Sequence, residues 1–178
     1  ENGLAANEIL TKANEKLCEN NEAGMFVTCW IGILDISTGK LQFANAGHNP
    51  PLIRHQNGTF EYLKKSAGFV LGGMEGVRYR VNELTLDPGD RIFLYTDGVT
   101  EATNINNELY GEERLQEFMN QNINLQSTEF LSELKKSIDE FVGEAPQFDD
   151  ISMLIFDYKG YEESFVINKE FVAQKEVL

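Results

Sequence analysis

Apolar residues recur at two different spacings along the chain, and the change from one to the other separates strands from helices. Residues 6–19 place Ala6, Leu10, Ala13 and Leu17 on one face, which predicts an amphipathic helix. Residues 25–35 form a long, largely apolar run, and residues 41–46 follow across Ser37-Thr38-Gly39, predicting a buried strand and its hairpin partner. Residues 52–55 and 59–63 flank Asn57-Gly58, the strongest short hairpin signal in the chain. Residues 79–86 and 91–95, separated by Pro88-Gly89, predict another hairpin. The helical period returns at 112–120 and at 129–141, where Leu131, Leu134, Ile138 and Phe141 form an apolar stripe with Ser127 or Thr128 as the N-cap. Residues 151–158 close the pattern with a strand. Antiparallel hairpins with helices set apart from them predict an α+β layered domain rather than a parallel βαβ fold.

Two strand ends carry chemistry. The run 91–96 leads straight into Asp97-Gly98, and Asp149-Asp150 immediately precede the run 151–156. If these strands are antiparallel neighbours, the end of one lies beside the start of the other, and Asp97 converges with Asp149. Hard divalent cations such as Mg²⁺ or Mn²⁺ take such oxygen ligands. Gly98 would let the backbone turn sharply and leave room beside the carboxylate. Either motif alone also suits an ordinary turn or a solvated strand start; together they favour a site.

Several ordered segments carry a resemblance. They are Met25-Phe26-Val27-Thr28, Gly32-Ile33-Leu34-Asp35, Thr38-Gly39-Lys40-Leu41 and Ala44-Asn45-Ala46-Gly47-His48-Asn49-Pro50-Pro51-Leu52. Leu86-Asp87-Pro88-Gly89-Asp90, Tyr95-Thr96-Asp97-Gly98-Val99-Thr100-Glu101-Ala102 and Asp149-Asp150-Ile151-Ser152 follow. In these the chain resembles the SpoIIE/RsbU-type serine phosphatases of the metal-dependent protein phosphatase (PPM) family. The resemblance implies two antiparallel sheets sandwiched between helices. It also implies that Asp97 and Asp149 are metal ligands and catalytic residues, with Gly98 and Asp150 supporting them from beside. The family's Gly-Asp strand and its Asp-Val-Ser-Gly-(His/Lys)-Gly segment have no counterpart here. The chain is therefore expected to be a piece of a longer protein, lacking the family's first strands and first helix and the bridging aspartate they supply.

The reaction implied is hydrolysis of a phosphoserine or phosphothreonine ester, with two Mn²⁺ or Mg²⁺ ions about 3.5–4 Å apart activating a water for in-line attack. Two aspartates hold two such ions poorly, so the chain alone is expected to have an incomplete metal site and little activity. The implied partner is a phosphorylated anti-anti-sigma-type protein in bacterial stress or developmental signalling. A non-catalytic module of the same fold, binding such a partner without turnover, is the alternative. A bared sheet edge would also favour self-association as a homodimer.

Composition narrows the field. With 29 acidic against 15 basic residues and a net charge of −14, the chain repels nucleic acid and anionic membrane, and neither is expected as a partner. The same charge repels a phosphorylated substrate, which makes a cationic metal centre more necessary. Cys18 and Cys29 lack Cys-x-x-Cys spacing and are read as reduced residues of a cytoplasmic protein. No Cys-x5-Arg signature is present, which excludes a thiolate-dependent phosphatase.

Some residues are read more plainly. His48 could serve as a catalytic acid or metal ligand, but is read as a turn residue. The glycine-rich segment 68–76 lacks the Lys-Ser/Thr ending of a phosphate-binding loop and is read as a flexible loop. Glu101, Glu112 and Glu113 are expected in solvent, the loop 103–111 beside the substrate cleft, and Trp30 in the core. The domain is expected to span residues 1–159, with 160–178 a tail or a linker to a further domain.

Overall fold

These periodicities resolve into three helices and seven strands within residues 3–146 and 149–161, the residues described by a computed structural model. In chain order the elements are α1 (Ala6–Cys18), β1 (Cys29–Leu34), β2 (Lys40–Ala46), β3 (Leu52–Arg54), β4 (Phe60–Tyr62), β5 (Asn82–Thr85), β6 (Arg91–Tyr95), α2 (Gly111–Gln121), α3 (Ser127–Val142) and β7 (Met153–Asp157). The strands form two sheets, ordered β1-β2-β5 and β4-β3-β6-β7, and every pairing between named strands is antiparallel.

Alternation along the strands builds the layers, because successive side chains point to opposite faces. Leu41 and Phe43 of one sheet meet Ile53 and Ile92 of the other, filling the space between the sheets. On the outer face of the first sheet, Ala44 and Ala46 receive Ala6 and Leu10 of α1. On the outer face of the second, Leu52, Phe93 and Tyr95 are covered by Leu115 and Met119 of α2 and by Phe130, Leu134 and Ile138 of α3. The result is a helix–sheet–sheet–helix sandwich, the α+β layering that the hairpin pattern predicted.

Several sequence expectations need correction. Residues 79–86 and 91–95 do not form a hairpin: β5 pairs with β2, whereas β6 pairs with β3 and β7 in the opposite sheet. The buried carboxylate of Asp90 explains the crossing. It accepts the Asp87 N–H within the turn and the Gln56 N–H outside it, and faces the His55 Nδ1 at 2.8 Å, so the turn is also fastened to the β3–β4 loop. The long strand over 25–35 is regular only from Cys29 to Leu34. Met25 and Phe26 are 70% and 62% exposed, and Val27 instead exchanges backbone hydrogen bonds with Leu71. Leu17, placed on the buried face of α1, is exposed; Asn14 takes that position, fully buried.

Neither Ser127 nor Thr128 caps α3. Gln126 precedes the helix, and the Ser127 hydroxyl donates to Asp157, which also accepts the Arg91 guanidinium at 2.5 Å. Segment 68–76 is not a loose loop. Asn14 Oδ1 accepts the Gly72 N–H while its Nδ2 donates to the Met74 carbonyl, both at 2.9 Å, and Gly68 N–H donates to Asn45. Trp30 is only half-buried, stacked on Phe43. Glu101, Glu112 and Glu113 are exposed, as expected. Residues 162–178, most of the expected tail or linker, lie outside the described residues.

Candidate metal centre

The centre grows from one strand pair. β6 and β7 run antiparallel with Tyr95 opposite Met153, so the chain leaving β6 and the chain entering β7 meet at the same end of the sheet. The pairing extends past the regular strands. Thr96 N–H donates to the Ser152 carbonyl at 3.0 Å, its hydroxyl donates to the Asp150 carbonyl at 3.0 Å, and Ser152 N–H donates back to that hydroxyl at 2.9 Å. Thr96 thus stitches the Thr96-Asp97-Gly98 segment to Asp149-Asp150-Ile151-Ser152.

Asp97 then opens a single 3-10 turn (Asp97–Val99) whose backbone is closed by the Glu101 N–H donating to the Asp97 carbonyl at 2.8 Å. Gly98 is buried against the other segment: a Cβ there would lie 2.5 Å from the Asp150 carbonyl oxygen. Only glycine permits the turn to approach so closely. Asp97, Asp149 and Asp150 are all exposed. Asp97 Oδ1 accepts the Gly98 N–H and Asp149 Oδ1 accepts the Asp150 N–H, at 3.1 and 2.7 Å, so each carboxylate is oriented by the backbone that follows it.

The structure therefore brings all four sequence-derived residues, Asp97, Gly98, Asp149 and Asp150, into one corner. Exposed carboxylates anchored by backbone suit a hydrated hard cation, which is commonly held by one or two carboxylates and several waters. Among the described residues no group of three or more His, Cys, Asp or Glu side chains gathers to hold a metal.

His48 makes the turn expected of it and also lies near Asp97. Its backbone makes the expected turn, exchanging hydrogen bonds with the Asn45 side chain at 2.8 Å in each direction. Its imidazole nevertheless faces the centre. Nδ1 lies 3.1 Å from the Thr28 hydroxyl, and the ring is half-buried near the Asp97 carboxylate and the Tyr95 carbonyl. Burial lowers its pKa, opposed by those two neighbours. The signal available in sequence was the Ala46-Gly47-His48 turn: Gly47, at φ 73°, has no room for a Cβ beside Val70.

A cleft of about 250 Å³ adjoins the carboxylates. Gly98, Glu101, Ala102 and Thr103 form one wall, the C-terminal end of α3 from Ile138 to Gly143 the other, and Asp149 and Ile151 the base. Thr103 places the start of the 103–111 loop at the border of this cleft.

Comparison with known proteins agrees with this fold. A family model described as Stage II sporulation protein E (SpoIIE) matches residues 1–159. Protein IcfG of Synechocystis sp. is 37% identical over 136 residues, covering 76% of this chain and 21% of that protein. Phosphoserine phosphatase RsbU of Bacillus subtilis is 30% identical over 102 residues, covering 57% of this chain and 30% of that protein. The chain thus spans less than a third of either relative. The SiaA-PP2C domain of Pseudomonas aeruginosa superposes with a TM-score of 0.74 at 22% identity, over 86% of this chain and 61% of that one, and shares the layered fold.

Proposed function

The chain belongs to the SpoIIE family, and from that premise we propose that it carries part of the active site of a PPM-type phosphatase acting on a phosphoserine protein. The observation that carries this reading is the β6–β7 pairing, which sets Asp97 beside Asp149 at one exposed sheet end. Asp97 and Asp149 would hold Mn²⁺ or Mg²⁺, which supplies Lewis acidity toward water and the phosphoryl oxygens. Thr96 and Gly98 fix the spacing of the two carboxylates, the first by its hydrogen bonds to Asp150 and Ser152 and the second by its lack of a side chain. Asp150 gives its carbonyl to Thr96 rather than to solvent, and so holds the position of Asp149.

The relative RsbU is a phosphoserine phosphatase by name, which supports a serine ester as substrate and a regulatory protein of the anti-anti-sigma type as its bearer. A shallow, acidic site discriminates poorly by phosphate alone, so contacts around the phosphoserine supply selectivity. Incubated with such a phosphoprotein, the chain is expected to release phosphate only with Mn²⁺ or Mg²⁺ present, and slowly, because two carboxylates anchor one ion better than two. A folded phosphoprotein should show a higher kcat/KM than a short phosphopeptide cut from it. Undiminished release in excess chelator, or equal specificity constants, would contradict the proposal.

A further inference from the structure

The sheet end that carries the candidate metal centre also carries the opposite charge. Leu52 of β3 pairs with Tyr62 of β4 on one side and with Phe93 of β6 on the other, so Tyr62 and Phe93 are level across the sheet. Both strands are antiparallel to β3 and therefore parallel to each other, and they leave the sheet at the same end. Lys64 and Lys65 follow Tyr62 on that side, as Thr96 and Asp97 follow Tyr95 at the end of β6. The chain after β4 is still tied to β3 at Leu63, whose N–H donates to the Pro51 carbonyl at 2.8 Å. From one edge to the other, this end presents Lys64 and Lys65 after β4, Asn49 and Pro50 before β3, Asp97 after β6 and Asp149 before β7.

Both lysines are exposed, and neither forms an ion pair among the described residues, in a chain with 29 acidic side chains to offer. Residues 62–74 contain no Asp or Glu. Glu112, whose carbonyl accepts the Tyr62 hydroxyl, pairs with neither lysine. Lys64 Nζ lies 6.0 Å from the centre of the Tyr62 ring, the outer limit of a cation–π contact. Two positive charges therefore face solvent on the strip that runs to the two aspartates.

The spacing of the strip selects what fits it. Neighbouring strands lie about 4.8 Å apart, so β4 is roughly 10 Å from β6 and roughly 14 Å from β7. An extended segment advances roughly 3.3–3.6 Å per residue and crosses that interval in three or four residues.

We propose that Lys64 and Lys65 form a docking point for an acidic side chain three or four residues from the phosphoserine of the substrate protein. The proposal deepens the phosphatase reading and rests on it for this register, whereas the charge of the occupant follows from the lysines themselves. It also gives a chain of net charge −14 a place to receive an acidic phosphoprotein segment, because complementary charge at one patch guides approach even where the whole molecule repels.

The test is an amide NMR titration in Mg²⁺ with eleven-residue phosphoserine peptides, each carrying a single glutamate at one of the five positions on either side. Every peptide is compared with its glutamine counterpart. Glutamate is expected to bind about twofold to fivefold tighter than glutamine, the range of an exposed charge pair, at the third or fourth position on one side. The amides of Lys64 and Lys65 should shift, and the preference should fade in high salt. Lys64→Gln combined with Lys65→Gln, both at exposed positions, should abolish the preference. Lys12→Gln combined with Lys40→Gln removes the same charge from exposed positions elsewhere and should leave it intact.

Equal binding of glutamate and glutamine peptides at every position, a preference only beside the phosphoserine, or one that survives loss of both lysines would overturn the docking point. So would capture of phosphatidylserine vesicles through the same two lysines, which would assign them to a membrane surface. Unphosphorylated peptides separate the two readings. Acidic peptides that bind at Lys64 and Lys65 without any effect of phosphate sustain the docking point and defeat the phosphatase reading. Phosphate-dependent binding without a glutamate preference does the reverse.

Discussion

At the scale of single residues the centre depends on small distances. Gly98 brings the turn after β6 against the Asp150 carbonyl, and a backbone oxygen 2.5 Å from an added Cβ cannot swing aside as a side chain would. Gly98→Ala is therefore expected to force the two segments apart. The overpacking should cost about 1–3 kcal/mol of stability and weaken Mg²⁺ binding, as read by thermal unfolding with and without the ion. An unchanged melting temperature and unchanged metal response would show that the close approach is dispensable. His48 gives a prediction of a different kind. Burial holds its pKa below the ordinary value of about 6.5, so the unfolded chain binds a proton that the folded one resists. The stability contributed by the neutral ring is complete above pH of about 6.5 and is lost as pH falls below it. The Asp97 charge raises the same pKa, and a cation held there would offset that charge. NMR titration of the His48 ring should accordingly show its pKa falling further when Mg²⁺ is added, and a rise would place the ion elsewhere.

Among elements, strand and helix existence was legible in sequence because each amphipathic run has a single dominant period. Ala6, Leu10, Leu134 and Ile138 are buried as their spacing requires. What sequence did not reveal was which sheet each strand joins. Residues 79–86 and 91–95 have the alternation and the turn of a hairpin, yet the Asp90 carboxylate fixes that turn to the β3–β4 loop and sends the strands to opposite sheets. Periodicity reports a face, and the long-range partner of one buried carboxylate leaves no mark in it. The candidate site was legible for the same reason in reverse: Asp97 and Asp149 lie at the ends of strands that do pair, whereas His48 arrives from the other sheet and only the folded chain brings it close. Asn14 likewise looked like one polar residue in a helix. It holds segment 68–76 to α1 through Gly72 and Met74. Asn14→Ala leaves a buried N–H and a carbonyl without partners, which should lower stability by about 2–3 kcal/mol and hasten amide exchange at Gly72 in particular. Equal protection in both proteins would show that the Val27–Leu71 bridge holds the segment unaided.

For the whole molecule, the sandwich serves to present one corner. Two sheets share a core, helices seal their outer faces, and the end of the β6–β7 pair is left open to solvent with two carboxylates on it. No described helix is long and apolar enough to cross a membrane. Under the proposed function, the acidic surface around the corner would repel a substrate phosphate, and a cation at Asp97 and Asp149 would relieve that repulsion. All of this turns on whether those two aspartates bind a divalent ion. The direct measurement is Mn²⁺ titration followed by calorimetry and by the electron paramagnetic resonance of the free ion, on the unaltered chain and on Asp97→Asn and Asp149→Asn. The account predicts at most one weak site, lost in both variants while each keeps its fold. Two tight sites, no site at all, or a site indifferent to both substitutions would contradict it.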